Sequence, residues 1–358
     1  MSVGFHTLTI AEMVDETAEA RSIRFAVPEE LRETFKFKPG QHLTLKAEIG
    51  GEELRRNYSL CVAPQDGAVM VTVKRIAGGA FSNWANDELK PGMAIEVMPP
   101  HGSFTWDFKQ GAAHHYVGFA GGSGITPVIS LLKTALLTEP ESRFTLVYGN
   151  RDSSSVIFLE ALAQLKNRFM NRLQVYHFLA EEAEELDLFN GMLDRPKCDE
   201  ILATLIDPAE VAAFFICGPG PMMDSAEAAL KGRGVPADKI HLERFTAGRP
   251  LEAMQAQLEA MSREAAGLTI LVTLDGRKRR VAFDAAAGNI LDSARGAGLP
   301  APFACKAGVC ATCRARVVSG EVEMAARYGL TDEEVAAGYV LTCQSVPKGD
   351  GVELDYDA

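Results

Sequence analysis

Three of the seven cysteines lie within nine residues, in the stretch CKAGVCATC that begins at Cys305. Cys305, Cys310 and Cys313 have the spacing C-x4-C-x2-C, and Cys343 follows after 29 intervening residues in YVLTCQ. This is the plant-type spacing of a [2Fe–2S] ligand set. A tight loop supplies three thiolates, and a strand elsewhere returns the fourth. Ala307, Gly308 and Ala311 are small, so the loop can wrap closely and aim backbone N–H groups at the sulfurs. Zinc is the main rival, but zinc sites use two C-x2-C knuckles or Cys/His pairs. Here the triplet is uneven and no His lies nearby. Cys198 reads as structural and Cys61 as a packing residue.

A second set of residues could hold a flavin. LRRNYSLC contains Arg56-Asn57-Tyr58-Ser59, the pattern R-x-Y-S. Arg56 can neutralise a phosphate, Tyr58 can offer a flat face to the ring system, and Ser59 can reach the reactive ring nitrogen. Gly78-Gly79-Ala80-Phe81-Ser82 resembles a phosphate-cradling turn, with the Ser82 hydroxyl as a donor. The plainer reading is a strand with an ordinary Tyr and Arg on its outer face.

A third set suits a nicotinamide dinucleotide. After HYVGFA come Gly121-Gly122-Ser123-Gly124-Ile125-Thr126-Pro127. These glycines permit a tight turn and close approach to a pyrophosphate, which the next helix N-terminus would receive. The pattern is G-x-G-x-x-P, a departure from G-x-G-x-x-G. Arg151, followed by three serines, suits a 2′-phosphate and so NADPH, although Asp152 can simply pair with it. AAFFIC ends in Cys217-Gly218-Pro219, which sets a thiol at the carboxyl end of a strand, facing the ligand crevice.

Three kinds of element must position these groups. HLTLKAEI, AVMVTVKRI and MAIEVM predict an antiparallel β-barrel over residues 1–109. HYVGFA, RFTLVYGN, RLQVYHFLA, AAFFIC and KIHLERF alternate with helical segments at Pro127–Leu137, Ile157–Phe169, Lys197–Leu205 and Met222–Lys231. That alternation predicts an α/β parallel-sheet nucleotide domain over 110–246. Residues 247–267 read as a linker, helical from Leu251. LTILVTLDGRKRRVAF, with a turn at Asp275-Gly276, opens an α+β ferredoxin-like β-grasp unit over 268–358. Its remaining elements are a helix at Ile290–Arg295 and strands at Ala315–Val318 and Val352–Asp355.

Composition narrows the class. The net charge of −12 argues against non-specific nucleic-acid binding. No apolar run approaches the ~18–20 residues that span a bilayer, and no secretory signal opens the chain, which reads as cytoplasmic. The seven histidines form no metal or triad set. The unit from Leu268 carries ten Lys/Arg and twelve Asp/Glu, a net of −2, so its docking surface is not announced by charge.

Taken in order, R-x-Y-S, GGSGITP, CGP and CKAGVCATC resemble the ferredoxin–NADP reductase superfamily, in the branch with a C-terminal plant-type ferredoxin. GGAFSNWANDELKPGM, YGNRDSSSVIF, IHLERF and GYVLTCQ narrow the resemblance to the reductase subunits of phenylacetyl-CoA epoxidases. The resemblance implies FAD, NADPH as electron donor, one [2Fe–2S] cluster, and a di-iron oxygenase as partner. It places Arg56, Tyr58, Ser59, Lys74, Gly79 and Ser82 at the flavin. Gly121, Gly122, Gly124, Thr126, Arg151, Cys217 and Gly218 fall at the nicotinamide nucleotide, and Glu243 and Phe245 cover the flavin. Ser59, Cys217 and Glu243 become the catalytic positions. Another ring-hydroxylating dioxygenase or di-iron monooxygenase stays open as the acceptor. So do FMN as the flavin and, from a different class, a non-catalytic assembly subunit.

Overall fold

The computed structural model describes residues 4–183, 185–245 and 251–358. These form two compact units: residues 5–54 with 58–245, and residues 251–358 with 4 and 55–57.

The larger unit begins with an antiparallel sheet of β1 (His6–Thr17), β2 (Ala20–Ala26), β3 (His42–Ile49), β4 (Glu52–Ser59), β5 (Val69–Lys74) and β6 (Ala94–His101). The strand order is β4-β3-β6-β1-β2-β5. Alternation buries one side of each strand: Leu8, Ile10, Ile23, Leu43, Leu45, Val71, Val73 and Val97 fill its core. The expected barrel is therefore a curled six-stranded sheet. The chain just beyond β4 meets β5 through the Leu60–Val71 bridge, the bond from Cys61 N–H to the Met70 carbonyl (3.0 Å) and contacts of the Cys61 sulfur with Met70 and Thr72. Helix α1 (Ala80–Asp87) follows β5.

Five parallel strands follow: β7 (His115–Gly121), β8 (Arg143–Asn150), β9 (Leu173–Leu179), β10 (Val211–Cys217) and β11 (Ile240–Glu243). Their order is β11-β10-β7-β8-β9. Near-continuous apolar runs such as FFIC and FTLVY fit strands covered on both faces. One face is packed by α2 (Ile125–Thr138) and α3 (Leu159–Arg168), the other by α4 (Arg195–Thr204) and α5 (Gly220–Gly232). Helix α3 begins two residues later than its periodicity predicts, because Phe158 takes a left-handed conformation at φ 64°. The chain builds outward from β7 through β8 to β9, then returns to lay β10 on the other side. The ligand crevice of such a sheet lies outside the carboxyl ends at that reversal.

The smaller unit starts with α6 (Leu251–Glu264). The segment read as a linker is helical there, and Leu258, Met261 and the buried Ala265 pack on the unit's core. Its Ala/Met-rich stripe supplies the packing face. A mixed sheet of β12 (Thr269–Leu274), β13 (Arg277–Ala282), β14 (Arg314–Ser319), β16 (Tyr339–Leu341) and β18 (Val352–Asp355) has the order β13-β12-β18-β14-β16. Helix α7 (Ile290–Gly296) packs against it, and β15 (Val322–Met324) pairs with β17 (Ser345–Pro347). A short helix α8 (Asp332–Ala336) precedes β16. The β12–β13 turn has positive φ at both Asp275 (50°) and Gly276 (70°), as a two-residue hairpin turn of the primed type requires. Among the described residues no helix is long and apolar enough to cross a membrane.

Candidate functional site

The crevice is built by close approach of two loops. Gly121 ends β7 and leads through a 3-10 turn at Gly122–Gly124 directly into α2. The loop after β10 carries Cys217, Gly218 and Pro219. A Cβ on Gly124 would lie 2.1 Å from the Cys217 carbonyl oxygen, and one on Gly121 would lie 2.6 Å from Pro219 Cδ. A Cβ on Gly218 would lie 2.9 Å from the Gly121 nitrogen. Gly121 and Gly124, expected to make room for a pyrophosphate, and Gly218, expected at the nicotinamide, thus also make room for each other's loops. Gly122 is the open one: at φ +51° its nearest neighbour is Lys74 Nζ, reaching over from β5. The buried Tyr148 hydroxyl donates to the Gly122 carbonyl (3.1 Å) and pins the turn. Thr126 Oγ1 donates to the Ser123 carbonyl (2.9 Å).

Cys217 is fully buried and sits in register with Ala120 on one side and Glu243 on the other. Burial pushes its thiol well above the ordinary range, and the Glu243 charge adds to this. It is a neutral thiol, not a nucleophile. Glu243 Oε1 lies 3.8 Å from His42 Nδ1. Burial, then the neighbouring His101, holds His42 well below the usual imidazole range, so this contact is polar without being an ion pair. Phe245 packs against the core under α2.

The flavin residues converge in part. Ser59, at the end of β4, is 2% exposed, and its hydroxyl has no hydrogen-bond partner among the described residues. A buried, unsatisfied hydroxyl is uncommon and calls for a ligand or another explanation. Tyr58 is half-buried, with its ring 5.8 Å from Phe81. Arg56 lies exposed on the same strand and donates to its neighbour's carbonyl (2.7 Å). After β5, Gly78 turns at φ +71° and Gly79 caps α1. Ser82 Oγ accepts from the Ile76 N–H (3.1 Å), and a Cβ on Gly79 would lie 2.7 Å from that oxygen. The turn therefore brings the N-terminus of an eight-residue helix beside β5, a place suited to an anion. The orphaned Ser59 hydroxyl fits the edge of a flavin ring, and this glycine-lined helix start fits its phosphate ester. Ser59→Ala should cost the flavin-free protein no stability, because the hydroxyl it removes is unsatisfied. It should slow flavin reduction by a nicotinamide nucleotide roughly 100-fold, as loss of one donor at a reacting centre does. Thermal melts and stopped-flow bleaching of the flavin check the two halves.

In the smaller unit the four predicted thiols come together as two pairs. Cys305 shares a thiol hydrogen bond with Cys310, and Cys313 shares one with Cys343. Cys310, Cys313 and Cys343 are buried, while Cys305 is partly exposed. The loop holds its shape by left-handed backbone at Lys306, Gly308 and Ala311. The Cys305 N–H points at Cys310 Sγ (3.4 Å), and the Ala307 N–H at Cys305 Sγ (3.3 Å). Gln344 Nε2 donates to the Lys306 carbonyl (3.0 Å), and Thr342 Oγ1 donates to the Cys313 carbonyl (2.9 Å), tying the loop to the 3-10 turn Thr342–Gln344, which carries Cys343 where a strand was expected. Among the described residues no three ligating side chains converge on one point as a single metal ion needs. Two pairs fit a binuclear centre with two thiolates to each iron, and they do not fit zinc.

Asn150 was missed by the motif reading, which took YGNR for its arginine alone. Alternation along β8 puts it on the same face as Tyr148, and its amide oxygen is buried without a partner. Its amide nitrogen faces the Tyr148 hydroxyl, whose own proton goes to the Gly122 and Ile157 carbonyls. Cys198 and Cys61 are buried packing residues, as expected.

Comparison with known proteins agrees. Residues 7–106 match the oxidoreductase FAD-binding domain family, 119–228 the oxidoreductase NAD-binding domain family, and 272–348 the 2Fe-2S iron-sulfur cluster binding domain family. The chain is 45% identical over 355 residues to a component of the 1,2-phenylacetyl-CoA epoxidase of Escherichia coli (strain K12), covering 99% of this chain and 98% of the relative. It is 40% identical over 354 residues to the ferredoxin reductase component of 3-ketosteroid-9-alpha-monooxygenase from Rhodococcus rhodochrous, covering 98% and 96%. The fold matches phthalate dioxygenase reductase with a TM-score of 0.59 at 24% identity, covering 98% of both chains. The chain is thus an oxidoreductase with flavin, nicotinamide and iron–sulfur domains, and it belongs to the family of oxygenase reductase components that includes the one found in phenylacetyl-CoA epoxidase.

Proposed function

We propose that this chain carries electrons from NADPH through FAD and a [2Fe–2S] cluster to a di-iron oxygenase that epoxidises phenylacetyl-CoA. The observation that carries the acceptor is the 45% identity over nearly the whole chain to a component of that enzyme. The 40% identity to a ketosteroid monooxygenase component supports a second reading, with another oxygenase as acceptor. Purified protein mixed with each oxygenase separates the two: NADPH consumption should couple to product only with the phenylacetyl-CoA oxygenase. Product from the ketosteroid enzyme alone would overturn the first reading.

Bound flavin supplies the step from hydride transfer to single electrons, which the cluster accepts one at a time. This chain's residues supply position. Tyr58 offers the ring face, the Ser59 hydroxyl donates at the reactive edge, and the turn from Gly79 to Ser82 with Lys74 and Arg56 holds the phosphates. The loops at Gly121–Thr126 and Cys217–Gly218 leave a slot for the nicotinamide beside a neutral thiol. Glu243 and Phe245 close the far side. Cys305 with Cys310, and Cys313 with Cys343, are the proposed iron ligands. The division at residues 1–109, 110–246, 247–267 and 268–358 and a cytoplasmic location, where thiols stay reduced, belong to the same reading.

Arg151 is proposed to bind the 2′-phosphate of NADPH. Arg151→Ala should then lower the NADPH-to-NADH ratio of kcat/KM about tenfold or more, the loss of one charge-assisted contact. Steady-state kinetics with both cosubstrates checks it, and an unchanged ratio removes this role.

A further inference from the structure

The turn after β8 holds more carboxylate than a phosphate site would be expected to carry. Arg151 Nε lies 2.9 Å from Asp152 Oδ2, and its guanidinium lies 4.0 Å from both Glu19 and Glu181. The three acids come from three places. Asp152 caps the short turn Ser153–Ser155. Glu181 follows β9, and its N–H donates to the Arg151 carbonyl at 2.8 Å. Glu19 lies in the β1–β2 turn, and its carbonyl accepts from the Arg75 N–H at 2.7 Å. Glu19 and Glu181 are therefore anchored through their own backbones.

The serines after Arg151 are engaged as well. Ser153 donates from its N–H and its hydroxyl to Glu182, both at 2.8 Å. Ser154 Oγ donates to Asp152 Oδ1 (2.6 Å), and Ser155 Oγ donates to the Asp152 carbonyl (2.7 Å). Beside them Asn150 presents an amide whose oxygen has no partner. An amide both donates and accepts, which matches the ribose 3′-hydroxyl that both cosubstrates keep, and the end of the second strand is where such sheets meet the ribose. A 2′-phosphate drawn to Arg151 would meet Glu19 and Glu181 as like charges, and such repulsion is a means of discrimination.

We propose that Glu19 and Glu181 are specificity-determining residues that weaken binding of the 2′-phosphorylated cosubstrate, while Asn150 holds the ribose common to NADPH and NADH. The inference rests on the assignment of the 2′-phosphate to Arg151. Its geometric basis is the carboxylate ring around that guanidinium.

Calorimetric titration of the holoprotein with 2′,5′-ADP and 5′-ADP tests it without turnover. In the double variant Glu19→Gln/Glu181→Gln, affinity for 2′,5′-ADP should rise about tenfold, the effect of removing two like charges from beside the guanidinium that draws the phosphate. Affinity for 5′-ADP should stay within about twofold, and the gap should narrow at high salt. Asn150→Ala should weaken both ligands equally, by roughly tenfold for a lost hydrogen-bond pair. Unchanged 2′,5′-ADP binding in the double variant, or an equal rise for both ligands, overturns the inference. If Arg151→Ala leaves 2′,5′-ADP binding intact, the Arg151 assignment falls and takes the inference with it. If Arg151→Ala weakens it and the double variant changes nothing, the inference alone falls.

Discussion

Cys310→Ala is expected to stop electron delivery to an oxygenase while leaving NADPH-driven flavin chemistry intact. Cys310 is buried, shares a hydrogen bond with Cys305, and receives the Cys305 N–H at 3.4 Å. Removing one of four thiolates leaves a binuclear centre an open iron, which Ala cannot fill. The binding energy of the cluster is also lost to the loop, whose left-handed residues at Lys306 and Ala311 are costly without it. Bound iron should fall from about two per chain to near zero. The visible and EPR signals of the cluster should vanish with it, and oxygenase turnover should drop by at least about 1000-fold, since the proposed route from flavin to oxygenase runs through the cluster. Reduction of a small dye by NADPH should remain within about twofold, because the crevice lies in the other compact unit. Full oxygenase turnover by this variant would favour an assembly subunit with vestigial sites. Loss of dye reduction would show that the two units do not act separately.

Gly124→Ala is expected to damage the nicotinamide site more than any side-chain change in it. The added Cβ would sit 2.1 Å from the Cys217 carbonyl oxygen, 2.4 Å from its carbon and 2.7 Å from the Gly218 nitrogen. All three are backbone atoms, so no rotamer can relieve the clash. The loop after β7 must separate from the loop after β10, in a crevice whose walls they form. Overpacking of this kind costs about 1–3 kcal/mol of stability. A shift of about 1 Å in reacting groups costs about 100-fold in rate, so kcat/KM for NADPH should fall by at least that factor. Gly220→Ala is the matched control: nothing lies within 4 Å of its Cβ position, and both melting temperature and kcat/KM should hardly move. Equal behaviour of the two variants would remove the argument from loop contact.

The four cysteines were legible because a binuclear cluster demands four thiolates at a restricted spacing, and few other needs produce that pattern. Strands and helices of the nucleotide domain were legible because apolar periodicity is a local property. R-x-Y-S could be read only as a candidate. Its serine acquired weight when burial left the hydroxyl without a partner, a fact that depends on what lies opposite β4. The curled rather than closed sheet depends on how strand edges meet beyond Leu60, which no run of residues encodes.

The chemistry of this protein was set by the sequence itself: residue types and spacings name a flavin, a nicotinamide nucleotide and an iron–sulfur centre, because each cofactor demands particular atoms. Only the tertiary structure decided how those residues are engaged. It pressed Gly121, Gly124 and Gly218 against each other's loops, sorted four thiols into two pairs, and ringed Arg151 with acids from distant segments. Spacing along the chain specifies which atoms are present. Steric fit and electrostatics across it decide what those atoms can do.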